Sequence, residues 1–299
     1  MLDNSPLHGL WCATLTPIGS DGRVERAKFA AHVKQLLERG CDGAMPFGTM
    51  GEGPSFSVAE RSAGLEALLA GGVPPLRLIA ATGCAAFSDT VALTRHALAS
   101  GCPRCLVLPP FFWKGLSDEA VFRYYASLID IVGDARLRIY LYHIPQESAV
   151  PISPEVVVRL AAAYPEIVAG VKDSAGDFGH SAELLKRAPR LSILTGHEPH
   201  LPGLMREGGA GTIGGLANLF PEAVAGLLKP EPNPELERYL QTFLDIVSGY
   251  PYVPACKAIL AAWTGDSTWL ETRPPLLPLA KPEREALFAA LRVAGFETS

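Results

Sequence analysis

Short apolar runs alternate along the chain with longer stretches in which apolar positions recur every three or four residues. Runs that brief read as buried strands, and the longer stretches read as amphipathic helices. The strand-like runs fall at 10–15, 43–47, 77–81, 105–108, 138–142, 168–171, 192–194 and 211–213. Helical stretches lie between them at 26–39, 58–70, 89–100, 118–132, 154–163 and 180–188. Ser57, Ser88, Ser117 and Ser153 stand just upstream of helical stretches as candidate caps, because a serine hydroxyl can accept from an orphaned backbone N–H. Eight βα units close most simply into a parallel α/β barrel of the TIM (β/α)8 type. An open, doubly wound sheet would need a phosphate-binding glycine turn directly after the first strand, and Thr14-Leu15-Thr16-Pro17-Ile18-Gly19 lacks one.

The rhythm changes after residue 228. The joint Lys229-Pro230-Glu231-Pro232-Asn233-Pro234 breaks any helix, and the helical stretches beyond it, at 236–247, 255–262 and 283–294, have no strand-like run between them. The reading is a barrel over 1–228 and a C-terminal helical extension over 229–299. A length of 299 residues suits that division, since the barrel alone takes about 250.

With 48% hydrophobic and 19% charged residues, the chain buries a sizeable core and is not a disordered one. Its net charge of −5, with no basic block, removes the footprint expected for nucleic acid or an anionic membrane surface. No apolar run approaches the length that spans a bilayer, and the first ten residues lack a targeting pattern, so a cytoplasmic protein with a small-molecule partner is expected. The six cysteines are scattered and are expected as free thiols. Cys102 and Cys105 form a C-x-x-C pair, but no further zinc ligands stand at matching spacing and a strand follows, not a helix.

Gly209-Ala210-Gly211-Thr212-Ile213-Gly214 spells G-x-G-x-x-G, yet it leads into the eighth strand where a dinucleotide site would open a helix. A tight turn and close backbone approach explain it better. His197 and His200 flank Glu198 after the seventh strand without the spacing of a metal site, so neither metal nor cofactor is expected.

The sixth strand is more informative. It ends Val168-Ala169-Gly170-Val171-Lys172-Asp173, and barrel enzymes work at the C-terminal ends of their strands. Alternation puts Val168, Gly170 and Lys172 on one face, so Lys172 can point inward, where desolvation would favour the neutral amine that attacks a ketone to form a Schiff base. A solvated or ion-paired lysine fits the same feature. On the fifth strand Tyr142 would reach the same mouth and could shuttle protons, while alternation turns His143 away. After the second strand, Gly48-Thr49-Met50-Gly51-Glu52-Gly53-Pro54-Ser55 could gather backbone N–H groups around a carboxylate, with the Thr49 hydroxyl beside it.

These residues, in this order, resemble the dihydrodipicolinate synthase and N-acetylneuraminate lyase family, class I aldolases and lyases that form a Schiff base with pyruvate or another 2-oxo acid. The likeness runs from Ala13-Thr14-Leu15-Thr16-Pro17 through the Gly48 loop, Tyr142-His143-Ile144-Pro145, Gly170-Val171-Lys172-Asp173 and Gly208-Gly209-Ala210-Gly211-Thr212-Ile213, to Lys257 and Arg273-Pro274-Pro275-Leu276. The resemblance implies a barrel with extra helices in a homo-oligomer, tetramer or dimer. It implies Lys172 as the Schiff-base lysine, Tyr142 as proton relay and Thr49 hydrogen-bonded to Tyr142. It also implies that backbone N–H groups of Thr49 and Met50 hold the pyruvyl carboxylate, beside Gly48, with Ile213 lining that pocket.

Three positions depart from the synthases of the family. Their arginine for the aldehyde carboxylate falls on Glu147, their second loop threonine on Met50, and their relay tyrosine after the fourth strand on Phe111. Exchanging a guanidinium for a carboxylate repels an anionic aldehyde. The favoured expectation is therefore a lyase or aldolase of the 2-keto-3-deoxy sugar-acid type, with Met50, Phe111, Trp113, Glu147 and His197 choosing the second half of the substrate. A 4-hydroxy-tetrahydrodipicolinate synthase whose aldehyde carboxylate is held otherwise, and a non-catalytic 2-oxo acid binding protein, are the alternatives.

Overall fold

The computed structural model describes residues 6–229, 231 and 233–296; Met1–Ser5, Pro230 and Pro232 of the proline-rich joint, and 297–299 lie outside the described residues. Eight parallel strands, β1 (Gly9–Ala13), β2 (Gly43–Met45), β3 (Ala80–Ala81), β4 (Arg104–Val107), β5 (Arg138–His143), β6 (Val168–Asp173), β7 (Ser192–Thr195) and β8 (Gly211–Gly214), pair in the order β2-β1-β8-β7-β6-β5-β4-β3. The ends of that order meet through a single parallel bridge, Ala44 to Leu78, where the Ile79 N–H donates to the Ala44 carbonyl at 2.9 Å. The result is a nearly closed TIM-type barrel with helices between its strands.

The expected run at 77–81 shortens to Ala80–Ala81 because Pro74 and Pro75 fix the backbone and donate no hydrogen bond, turning Pro75–Arg77 into a 3-10 turn. Ser57, Ser117 and Ser153 accept from backbone N–H groups at the starts of the helices Val58–Ala70, Asp118–Val132 and Pro154–Ala163. Ser88 does not: the helix Phe87–Ala99 begins before it, behind Ala86, which leaves Ser88 inside the first turn.

Alternation divides most strands between two apolar layers, although Leu10 to Ala13 of β1 all join one cluster, and Val168, expected on the face of Lys172, packs in the outer one beside a register shift between β5 and β6. On β5, Tyr140 and Tyr142 join the inner cluster, which also holds Trp11, Leu194 and Ile213, while Ile139 and Leu141 pack under the surrounding helices. The C-terminal helices Pro234–Val247, Tyr252–Thr264 and Lys281–Val293 contribute Phe243, Ile259 and Leu287 to that same inner cluster. They pack against the barrel through this one shared apolar cluster. Gly211 needs its left-handed backbone (φ 132°) and lack of side chain, since a Cβ there would fall 2.1 Å from the Gly9 carbonyl oxygen of the neighbouring strand. Cys102 and Cys105 are buried free thiols, raised by that burial, Cys102 to about 11. Among the described residues no helix is long and apolar enough to cross a membrane.

Candidate active site

At the C-terminal end of the barrel a cavity of about 460 Å³ opens over the last residues of β5, β6 and β8. Lys172 lies on its floor, 3% exposed, directly beside Tyr142 in the register of β5 and β6. The Lys172 Nζ sits 4.3 Å from the centre of the Tyr142 ring, and the Tyr142 hydroxyl is 3.2 Å from the Thr49 hydroxyl. Met50, Ile213 and His197 line the same cavity. Gly48 stands behind them, on a small void it shares with Thr49 and Tyr142.

Room for the lysine comes from Gly196 after β7: a Cβ there would lie 2.8 Å from the Lys172 Cε and 1.9 Å from the Ser174 Oγ. A cavity of about 430 Å³ also opens at the opposite end of the barrel, but its walls carry no lysine among the described residues.

Three expected residues stand elsewhere. Phe111 is half-buried and Glu147 exposed, and neither lines the cavity; Gln146, one residue before Glu147, does. Trp113 is exposed and packs edge-to-face on Phe112. Residues that sequence reasoning missed take their places: Ser174, Glu198, Gln241, Asp245 and Tyr252. Alternation from Lys172 could have found Ser174. Glu198 is buried and accepts the Leu216 N–H at 2.9 Å, which ties the loop after β7 to the turn after β8. Burial raises its carboxyl above the ordinary value against the pull of those backbone donors.

The loop carrying Thr49 and Met50 is pinned from below. Glu52 holds a left-handed backbone (φ 56°), and its fully buried carboxylate pairs with the Lys257 ammonium and accepts the Arg273 N–H at 2.7 Å. Lys257 also donates to the Glu271 carbonyl at 2.5 Å. Burial depresses the Lys257 ammonium, and the Glu52 charge offsets that. Lys257→Ala would strand a carboxylate in the core at an expected cost of about 3–5 kcal/mol, readable as a lower denaturant midpoint. A loss under about 1 kcal/mol would show that the pair does not anchor this loop. Replacing both partners by apolar residues of similar volume should recover much of the loss.

On the outer face of β5 and β6, a second polar group backs the site. His143 and His180 stack with ring centres 4.0 Å apart. The Ile152 N–H donates to His143 Nδ1 at 3.1 Å. His180 meets Asp173 Oδ2 at 2.7 Å through Nδ1 and the Ile152 carbonyl at 3.0 Å through Nε2, and two acceptors on one imidazole call for the protonated ring. Ser181 donates to the same Asp173 oxygen at 2.7 Å. These three residues are the one group spaced to hold a metal among the described residues, but their ligand atoms are engaged with protein partners, so the arrangement is a structural network.

Burial, then the neighbouring His180 charge, lowers His143 to about 4. Burial likewise takes His32, which meets the Asn218 amide oxygen at 3.1 Å, from 6.5 to about 4. Burial opposes the charge on His180, yet Asp173 and the Ile152 carbonyl hold it above the ordinary value. The two depressed groups stabilise the fold fully above pH 6.5 and lose that contribution as pH falls towards 4. The raised group behaves oppositely: its contribution is complete below pH 6.5 and fades as pH climbs through its folded value. Thermal unfolding should therefore show the midpoint falling from pH 6.5 to 4.5, each buried neutral histidine giving up about 1.4 kcal/mol per pH unit. His143→Asn should make that slope shallower; an unchanged slope would sink the assignment.

A buried lysine near the end of the sixth strand, a tyrosine beside it and a threonine on a glycine loop come together from three distant segments. The profile of the dihydrodipicolinate synthetase family matches residues 6–294. The chain belongs to that family. It is 37% identical over 287 residues to a DapA-like lyase of Chloroflexus aurantiacus, covering 94% of this chain and 95% of the relative. It is 29% identical over 296 residues to the 4-hydroxy-tetrahydrodipicolinate synthase of Neisseria meningitidis, covering 97% and 99%. Among solved structures, the dihydrodipicolinate synthase of Agrobacterium tumefaciens superposes with a TM-score of 0.91 at 33% identity, over 96% of this chain and 99% of that one. This family member is thus a class I aldolase or lyase with small-molecule substrates.

Proposed function

We propose that the protein is a Schiff-base-forming lyase or aldolase that joins pyruvate, or a related 2-oxo acid, to an aldehyde or separates them again, with substrates of the 2-keto-3-deoxy sugar-acid type. The observation that carries this reading is Lys172, buried on the floor of the cavity with the Tyr142 ring against its amine and the Tyr142 hydroxyl bonded to Thr49.

In the cleavage direction the Lys172 amine attacks the C2 carbonyl, and loss of water leaves an iminium. Removal of the C4 hydroxyl proton then releases the aldehyde as the C3–C4 electron pair moves into the iminium to give an enamine. Protonation at C3 and hydrolysis return pyruvate and the free amine. Every stage moves a proton, and the Tyr142 hydroxyl, with Thr49 behind it, is placed for that traffic. Backbone N–H groups of Thr49 and Met50, on the loop braced by Glu52, receive the carboxylate.

The synthase reading draws on the relatives that carry that name. Against it, Glu147 stands at the arginine's position in the sequence, and Lys172 is the one lysine or arginine on the cavity wall among the described residues. The reading includes a cytoplasmic homo-oligomer, tetramer or dimer, which the exposed Phe112–Trp113 pair supports.

Incubation with pyruvate and borohydride, followed by peptide mapping, tests the proposal. A reduced pyruvyl group on Lys172 is expected. Longer 2-oxo acids labelling Lys172 where pyruvate does not would move the donor, and no adduct with any of them would favour simple binding.

A further inference from the structure

The outer wall of the cavity is built by groups the reaction itself does not use, and it carries a carboxylate, Asp245, among neutral polar groups. Gln146 Nε2 donates to the Ser174 carbonyl at 2.7 Å, Gln241 Nε2 donates to Asp245 Oδ1 at 2.7 Å, and the Ser248 hydroxyl donates to the Asp245 carbonyl at 2.7 Å. Ser248 has spent its only hydrogen and each amide one of its two, so these side chains offer two amide oxygens, a hydroxyl oxygen and the Asp245 carboxylate, while Ser174, His197 and Tyr252 on the same wall can also donate. Gln241 and Asp245 lie one turn apart on the helix Pro234–Val247 and so share its cavity side. On this wall no free lysine or arginine answers Asp245 among the described residues: Lys172, the one such side chain there, is committed to the ketone, and burial lowers the His197 imidazole, which disfavours its charged form.

We infer that the second half of the substrate is an uncharged chain bearing hydroxyl groups, and that Asp245 turns away aldehydes ending in phosphate or carboxylate. The inference rests on the Schiff-base reading and adds to it the selectivity. Hydroxyl groups, which both donate and accept, match a wall of amide, hydroxyl and carboxylate groups. An anionic terminus would meet the Asp245 charge with no cation to offset it, and like charges brought together across a binding surface are a strong means of refusing a partner. Because Asp245 and Gln241 are solvent-exposed at the rim, the repulsion is screened by salt and is greatest at low ionic strength.

The test compares kcat/KM for condensation of pyruvate with D-glyceraldehyde, D-glyceraldehyde 3-phosphate and succinic semialdehyde at low salt, with the borohydride adduct at Lys172 measured in the same preparations. D-glyceraldehyde is expected to lead both charged aldehydes by about tenfold or more. Asp245→Asn should narrow the gap, Asp245→Arg should close or invert it for the phosphate, and Gln241→Ala should weaken D-glyceraldehyde alone. An adduct together with equal or better use of the charged aldehydes, with no use of D-glyceraldehyde, or with ratios unmoved in Asp245→Arg overturns this inference and leaves the Schiff-base reading standing. Absence of any adduct in active preparations overturns the reading beneath it.

Discussion

Lys172→Ala is expected to lower turnover on the order of 10⁵-fold or more, a loss of the size seen when a covalent nucleophile is removed. No other amine lines the cavity among the described residues to replace it. The fold should survive, because β6 is held by backbone pairing to β5 and β7 and the substitution only shortens a side chain that ends in the cavity. Lys172→Arg should be as inactive, since a guanidinium stays protonated and cannot attack a ketone. Steady-state rates with circular dichroism as the folding control decide the matter. A residual rate within about tenfold of the unaltered protein would remove Lys172 from the nucleophile's role.

Tyr142→Phe is expected to slow turnover by about 10² to 10⁴-fold, the usual contribution of a positioned acid and base. It differs from the lysine variants in what remains. The amine is intact, so prolonged incubation with pyruvate and borohydride should still label Lys172, only slowly. The Tyr142 ring that covers the amine is kept by phenylalanine, and the 3.2 Å contact with Thr49 is lost. A near-normal rate would mean that water, not Tyr142, carries the protons.

Much of this architecture can be read in the chain because strands and helices write their periods into the order of apolar residues. The same alternation that puts Lys172 and Tyr142 inward sends His143 outward, and all three stand there. What could not be read depends on where separate elements meet. The Glu52–Lys257 pair joins a loop after β2 to a helix near the end of the chain, and no local period relates them. Gln241 and Asp245 lie on an amphipathic helix whose pattern fixes which side is apolar, not that its rim overhangs the barrel mouth. Glu147 was expected at the site from its place in a motif. The short helix Pro145–Ser148 turns it to solvent and offers Gln146 to the cavity in its place.

The uneven closure of the barrel divides the labour of the site mechanically. Lys172 and Tyr142 stand on the long seam between β5 and β6, in unbroken register from Tyr140 to His143, so backbone pairing sets the spacing of the amine and the phenol. The glycine loop follows β2, whose other edge meets β3 only through the Ala44–Leu78 bridge. On that side the loop is held less by sheet pairing than by its buried Glu52–Lys257 anchor, so the two halves of the site owe their stiffness to different bonds.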